Sequence, residues 1–128
     1  MGNFNRIILV GNLVRDPKTH HVQTGAAVTK FTIAVNRRTR QNDSVDYVDI
    51  VAWEKLADTS SKYLRKGMSV LVEGRLATRS YESKSGEKHW AAEVIAGFMQ
   101  MLNRGVPDIV VNDIELDAET EDEFEPAS

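Results

Sequence analysis

The 128-residue chain carries 16 Lys and Arg, 19 Asp and Glu and no cysteine. That size favours one domain with a core of its own, and the composition excludes disulfides and thiolate metal centres. The net charge of −3 hides an asymmetry: all 16 cations and 10 of the carboxylates lie up to Arg104, a body of +6, and the other 9 carboxylates run from Asp108 onward, a tail of −9. Such a split belongs to a basic binding domain with an acidic appendage. No apolar run approaches the roughly 20 residues of a membrane span, and MGNFNRI lacks the parts of a secretory leader, so a cytoplasmic protein is expected.

Residues 6–14, RIILVGNLV, place Ile7, Leu9 and Leu13 on one parity and Ile8, Val10 and Val14 on the other. A strand apolar on both faces is covered on both. The chain's own helix or tail could supply the second cover, but in so short a chain another copy is the better source. Ile8, Val10 and Val14 are therefore the expected oligomer interface. Asp16-Pro17 breaks the strand. His20 and His21 would point to opposite faces with no third ligand nearby, so no metal site is expected. A hairpin over roughly Thr19 to Arg38 turns at Thr24-Gly25-Ala26, with Phe31, Ile33 and Val35 inward. Arg37, Arg38 and Arg40 then crowd a polar loop suited to a phosphate backbone.

YVDIVAW at 47–53 alternates Val48, Ile50 and Ala52 against Tyr47, Asp49, Val51 and Trp53. The second face carries a large ring at each end, an unlikely surface to leave idle. From Glu54 to Lys66 the period lengthens to that of a helix, with Leu56, Ser60, Tyr63 and Leu64 on one face and Gly67 as its stop. A long strand over 68–81 puts Val70, Val72 and Leu76 inward and Arg75, Ala77, Arg79 and Tyr81 together on the other side, with Gly74 allowing a bend. SKSGEK at 83–88 is a hairpin loop. The last strand, 89–102, keeps Trp90, Val94 and Phe98 in phase. The pattern is all-β: five long strands with one helix between the third and fourth, the order of a Greek-key barrel of the OB type. Such barrels bind oligonucleotides or oligosaccharides on the face where Tyr47, Trp53, Arg38, Arg75, Arg79 and Tyr81 would lie. Aromatics interleaved with guanidinium groups suit stacked bases joined by phosphates. No phosphate-cradling Gly-Lys motif, metal-ligand spacing or paired nucleophile and base is present, so neither an enzyme nor a cofactor is expected.

NRIILVGNLVRDP at 5–17, GAAVTKFTIAVNR at 25–37, KYLRKG at 62–67, VLVEGRLATRSY at 70–81 and FMQML at 98–102 together resemble bacterial single-stranded DNA-binding proteins. The resemblance implies an OB fold, a homotetramer whose barrels pair through their first strands, and sequence-tolerant binding of single-stranded DNA in replication, recombination and repair, close to the nucleoid. It assigns base stacking to Tyr47, Trp53 and Tyr81, and backbone contacts to Arg6, Lys55, Lys66 and Arg79. Trp90 matches a further aromatic, for which packing is expected. The alternative within the fold is an RNA-binding or replication-restart module. Two departures stand out on the binding surface. Thr39, between Arg38 and Arg40, stands where the family often has another stacking aromatic, so binding is expected to lean on charge there. Asp49 stands where a basic or neutral residue is common.

The organisation expected is a binding domain over 1–104 and an acidic tail over 105–128, mostly disordered. The tail lacks the family's Gly-, Gln- or Pro-rich linker and its Pro-Phe end. Phe124 within EDEFEP is the nearest counterpart and the expected partner-binding residue for replication and repair proteins. Val106–Leu116 holds enough apolar residues to dock as a strand.

Overall fold

The structure, a computed structural model, describes residues 2–38, 40–41, 43–102 and 110–112. Five long strands make the barrel: β1 (Ile7–Leu13), β3 (Ala27–Arg38), β4 (Asp43–Trp53), β5 (Ser69–Glu82) and β6 (Lys88–Met101). Among the described residues two short strands accompany them, β2 (Lys18–His21) beside β3 and β7 (Val110–Asn112) beside β6, with one helix, α1 (Lys55–Tyr63), between β4 and β5. β7 falls inside the stretch expected to dock as a strand, pairing antiparallel with Phe98–Gln100. The sheet runs β1-β5-β6-β4-β3-β2, and β1 also pairs with β3, which closes the barrel. The β4–β6 pairing is parallel and all others are antiparallel.

The interior follows the period-two pattern. Phe31 and Ile33 of β3, Ile50 and Ala52 of β4, Val70 and Val72 of β5, and Val94, Met99 and Met101 of β6 pack with Leu13 into one cluster. β1 and β3 cross so tightly at Gly11 that a Cβ there would meet the Ala34 carbonyl oxygen at 2.6 Å. α1 closes the barrel with buried Leu56, Ala57 and Ser60. The buried Thr29 hydroxyl of β3 donates to the Ala57 carbonyl at 2.9 Å, which ties the helix to the barrel wall. Among the described residues no helix is long and apolar enough to cross a membrane.

The helix is shorter than its sequence pattern. It ends at Tyr63, Leu64 takes up extended backbone, and Gly67 sits in the turn into β5 with its N–H on the Leu13 carbonyl. Leu64 is buried as expected, but Tyr63 is exposed, because without a further turn its side of the helix meets solvent.

The second departure lies at Gly74. The β5–β6 register slips there: Glu73 faces Phe98 and Gly74 faces Ala96, so Gly97 is an extra, bulged residue on β6. A bulge reverses the in-and-out phase of one strand. The buried set therefore changes from Val94 and Ala96 to Met99 and Met101, and Phe98, expected in phase with Val94, belongs to the opposite parity and is half-buried. Beyond the bulge the two strands leave the barrel as a long hairpin. Leu76 stays on the core-side face opposite Val94, but so near the rim that it is exposed rather than inward. A Cβ at Gly74 would collide with the Ile95 carbonyl, so the hairpin has room for backbone only. Gly74→Ala is expected to destabilise the fold by about 1–3 kcal/mol through this overpacking, read as a lowered urea midpoint at unchanged slope.

Candidate nucleic-acid interface

Residues directly opposite each other in a sheet share a face, so the register shows which side chains the fold assembles. From β3 to β4 the outer face pairs Val28 with Trp53, Lys30 with Val51, Thr32 with Asp49, Ala34 with Tyr47, and Arg38 with Asp43. From β4 it passes through Val51 to Ile95 of β6, and on to β5 through Ile95 with Arg75, Glu93 with Ala77, Ala91 with Arg79, and His89 with Tyr81. Tyr47, Trp53, Arg38, Arg75, Arg79 and Tyr81 thus lie on one continuous face, although their strands are distant in sequence.

The centre of that face is filled. Val28, Val51 and Ile95 form a small buried cluster with Val22, Trp53 and Ala77 packed against it. Val51, expected on the aromatic face, is on it but is covered by this cluster, and Trp53 is half-buried in its margin. Tyr47 is 69% exposed and Tyr81 46% exposed. The Tyr81 ring stacks on His89, with centroids 5.4 Å apart and planes at 26°. The Arg79 guanidinium carbon stands 5.8 Å from the same ring's centroid and its Nε 3.9 Å from a Glu93 carboxylate oxygen. A groove of about 370 Å³ crosses the face, bordered by Arg15, Lys18, Lys30, Asp49, Arg79 and Glu93.

The other basic residues are dispersed. Arg37, on the parity opposite to Arg38, donates from Nε to the Ser44 hydroxyl at 2.9 Å and stands 3.6 Å from Asp46. Arg40 is exposed in the loop beyond β3. Arg6 precedes β1 and pairs with Glu73. Lys55 opens α1, and Lys66, in the turn before β5, donates its backbone N–H to the Asp16 carboxylate at 2.8 Å. Trp90 is not the packed residue expected. It faces away from Tyr81, on the core-side parity of the hairpin where no core remains, and is 72% exposed. Phe124 lies outside the described residues.

Lys18, Lys30 and His89 escaped the sequence reading as members of the site. The alternation of Lys30 with Phe31 already signalled an outward cation, but its neighbours become known only when β2 pairs Lys18 with it. On β1, Ile8 and Val10 are 56% and 50% exposed, a bare apolar pair on the outer face. Val14 lies past the end of the strand and is half-buried, its N–H bonded to the Thr32 carbonyl.

A closed five-stranded Greek-key barrel with a helix between its third and fourth long strands and an aromatic, basic outer face defines an oligonucleotide-binding OB fold. Residues 4–102 match the model of the Single-strand binding protein family, and the chain belongs to that family. The chain is 40% identical to the single-stranded DNA-binding protein of Thermotoga maritima, over 98% of this chain and 87% of that one. It is 44% identical to single-stranded DNA-binding protein 1 of Staphylococcus aureus strain Mu50, over 77% of this chain and 65% of that one. Among solved structures, the Plasmodium falciparum SSB complex with ssDNA aligns with a TM-score of 0.76 at 28% identity, covering 80% of this chain and 98% of that one.

The division between surface and small core is open to measurement. Tyr47→Ala should leave stability within about 0.5 kcal/mol, since the ring is exposed. Ile95→Ala should cost about 2–5 kcal/mol, since it empties the cluster under the face. Thermal or urea unfolding of the two variants compares them directly.

Proposed function

We propose that the chain is a sequence-tolerant single-stranded DNA-binding protein, cytoplasmic and nucleoid-associated, that coats and protects DNA during replication, recombination and repair. The observation that carries this is the single outer face on which Tyr47, Trp53 and Tyr81 stand among Lys30, Arg38, Arg75 and Arg79. Rings offer π-faces that any base can stack on, and cations spaced between them meet the phosphates without reading sequence. The structural likeness to an SSB complex with ssDNA supports the same use of the face. The work is binding, with no bond made or broken.

Tyr47 and Tyr81 are the most accessible stacking positions, while Trp53 offers what its packing leaves free. Arg79, beside the Tyr81 ring, holds the backbone there, Arg75 does so farther along β5 opposite Ile95, and Arg38 does so at the end of β3, on the face of Tyr47. Arg6, Arg37, Arg40, Lys55 and Lys66 extend the positive field around the barrel along the path of a longer strand. Tyr47→Ala and Tyr81→Ala should each weaken binding of oligo(dT) by about 1–3 kcal/mol, measured by anisotropy at fixed salt. Unchanged binding in both variants would remove this face as the binding surface. Comparing dT with rU homopolymers tests the RNA-binding alternative.

The assembly we propose is a homotetramer in which β1 meets β1 of another copy. Among the described residues that strand is paired from Ile7 to Gly11 along the β5 side only, with an open edge beside the bare Ile8 and Val10 side chains. Open edges invite strand addition, and several barrels on one DNA raise affinity through effective concentration. Ile8→Glu combined with Val10→Glu should lower the mass in solution by light scattering; an unchanged mass would move the interface elsewhere. Phe124, within its acidic surroundings, is proposed to engage replication and repair proteins.

A further inference from the structure

We infer that Asp49 makes this surface discriminate among bases, its carboxylate receiving the Watson–Crick edge of an unpaired guanine. The inference rests on the single-stranded DNA reading above and gives that face a base preference.

Asp49 lies on β4 between Tyr47 and Trp53 and on their face, exposed at the edge of the groove. The Thr32 hydroxyl, directly across the β3–β4 ladder, donates to its Oδ1 at 2.7 Å and so fixes the plane of the carboxylate. A carboxylate has about four lone-pair sites on its two oxygens, so this bond leaves the group open to a ligand. On a surface that must follow a polyanion, a fixed negative charge between two stacking rings excludes phosphate from its immediate surroundings. Cations border the same groove, Arg15, Lys18 and Lys30 from the β1–β3 side and Arg79 from β5, and its two other carboxylates are engaged, Asp16 by the Lys66 N–H and Glu93 beside Arg79. A strand laid from Tyr47 towards Trp53 therefore lowers its energy by turning its phosphates to those cations and a base edge to Asp49.

Base edges are not equivalent to a carboxylate. Guanine presents two adjacent donors, N1–H and the 2-amino group, in the parallel arrangement that a carboxylate accepts as a pair. Cytosine and adenine present one exocyclic amino group each, and thymine presents a single N–H flanked by two carbonyl oxygens that the carboxylate repels. The order expected is guanine first, cytosine and adenine next, thymine last. Because Asp49 is exposed, the preference stays near the low end for a paired base-edge contact, about fivefold, and overall binding remains tolerant of sequence.

The test uses the full chain and three labelled oligonucleotides of equal length: all thymine, thymine with isolated guanines, and the same with inosines, which keep N1–H and lack the 2-amino group. The wild-type protein should bind the guanine oligonucleotide about fivefold more tightly than the inosine one at fixed salt. Asp49→Asn should abolish that preference and tighten the all-thymine complex by removing the repulsion. Thr32→Val, which keeps the charge and frees its orientation, should reduce the preference without the general tightening. Equal binding of guanine and inosine by the wild-type protein would overturn the role of Asp49 and leave the single-stranded DNA reading intact, as would a preference that survives in Asp49→Asn. Failure to bind any of the three would overturn the reading of the face itself.

Discussion

Everything on the outer face depends on the short parallel contact between β4 and β6, where Ile50 meets Val94 and Val51 meets Ile95. The contact is covered on both sides. Ile50 and Val94 are buried in the barrel core, and Val51 and Ile95 are buried in the small cluster outside it. Parallel pairs are stable only when both faces are protected. Here the barrel supplies one cover, and the β5–β6 hairpin, swung out at Gly74 and Gly97, supplies the other through Ala77. The same contact carries the face from Tyr47 and Trp53 across to Arg75, Arg79 and Tyr81.

This explains where the sequence was legible. Alternation in β3 and β4 named Phe31, Ile33, Ile50 and Ala52 as core and Tyr47 as outward, because the ladder between the two strands runs without a register shift and period two holds through it. The five long strands, the helix between the third and fourth, and the aromatic-basic face were readable for the same reason. Leu76 and Phe98 lie either side of the bulge, where parity ceases to report depth. A glycine inside a strand marks Gly97 as a possible bend, but the bulge itself exists only relative to Glu73 and Gly74 on the other strand. Trp90 fails differently: its parity is that of Val94, but the barrel has ended before the strand reaches it. Tyr63 likewise has the spacing of a core residue on a helix that stops one turn too early.

The members of the site that sequence reasoning missed share one property: each becomes relevant only through a cross-strand neighbour. Lys18 and Lys30 are unremarkable surface lysines until β2 pairs them, and His89 is a loop-end histidine until Tyr81 stacks on it. Composition could announce a basic body and an acidic tail, but the distribution of charge around a barrel is set by register. Arg37 and Arg38, adjacent in the chain, end on opposite faces of β3, and of the two Arg38 is the one on the face of Tyr47.

That distribution also bears on how much of the affinity is electrostatic. Arg79 stands near Glu93, Arg37 near Asp46, and Arg6 against Glu73, so at least these cations assigned to the DNA backbone already have anionic company. Exposed pairs of this kind are worth about 0–1 kcal/mol, and a phosphate can displace the carboxylate at little cost. The exchange is not free of consequence, however. An arginine that swaps one anion for another is partly neutralised beforehand, so it gathers less new charge compensation than an isolated one. For single strands the salt slope is about 0.7 per phosphate neutralised. A count of basic residues therefore sets a ceiling on that slope, with Lys18, Lys30 and the loop around Arg40 adding to it and the paired arginines falling short of a full unit. The stacking rings carry no such discount, and they are what should hold the complex together as salt rises.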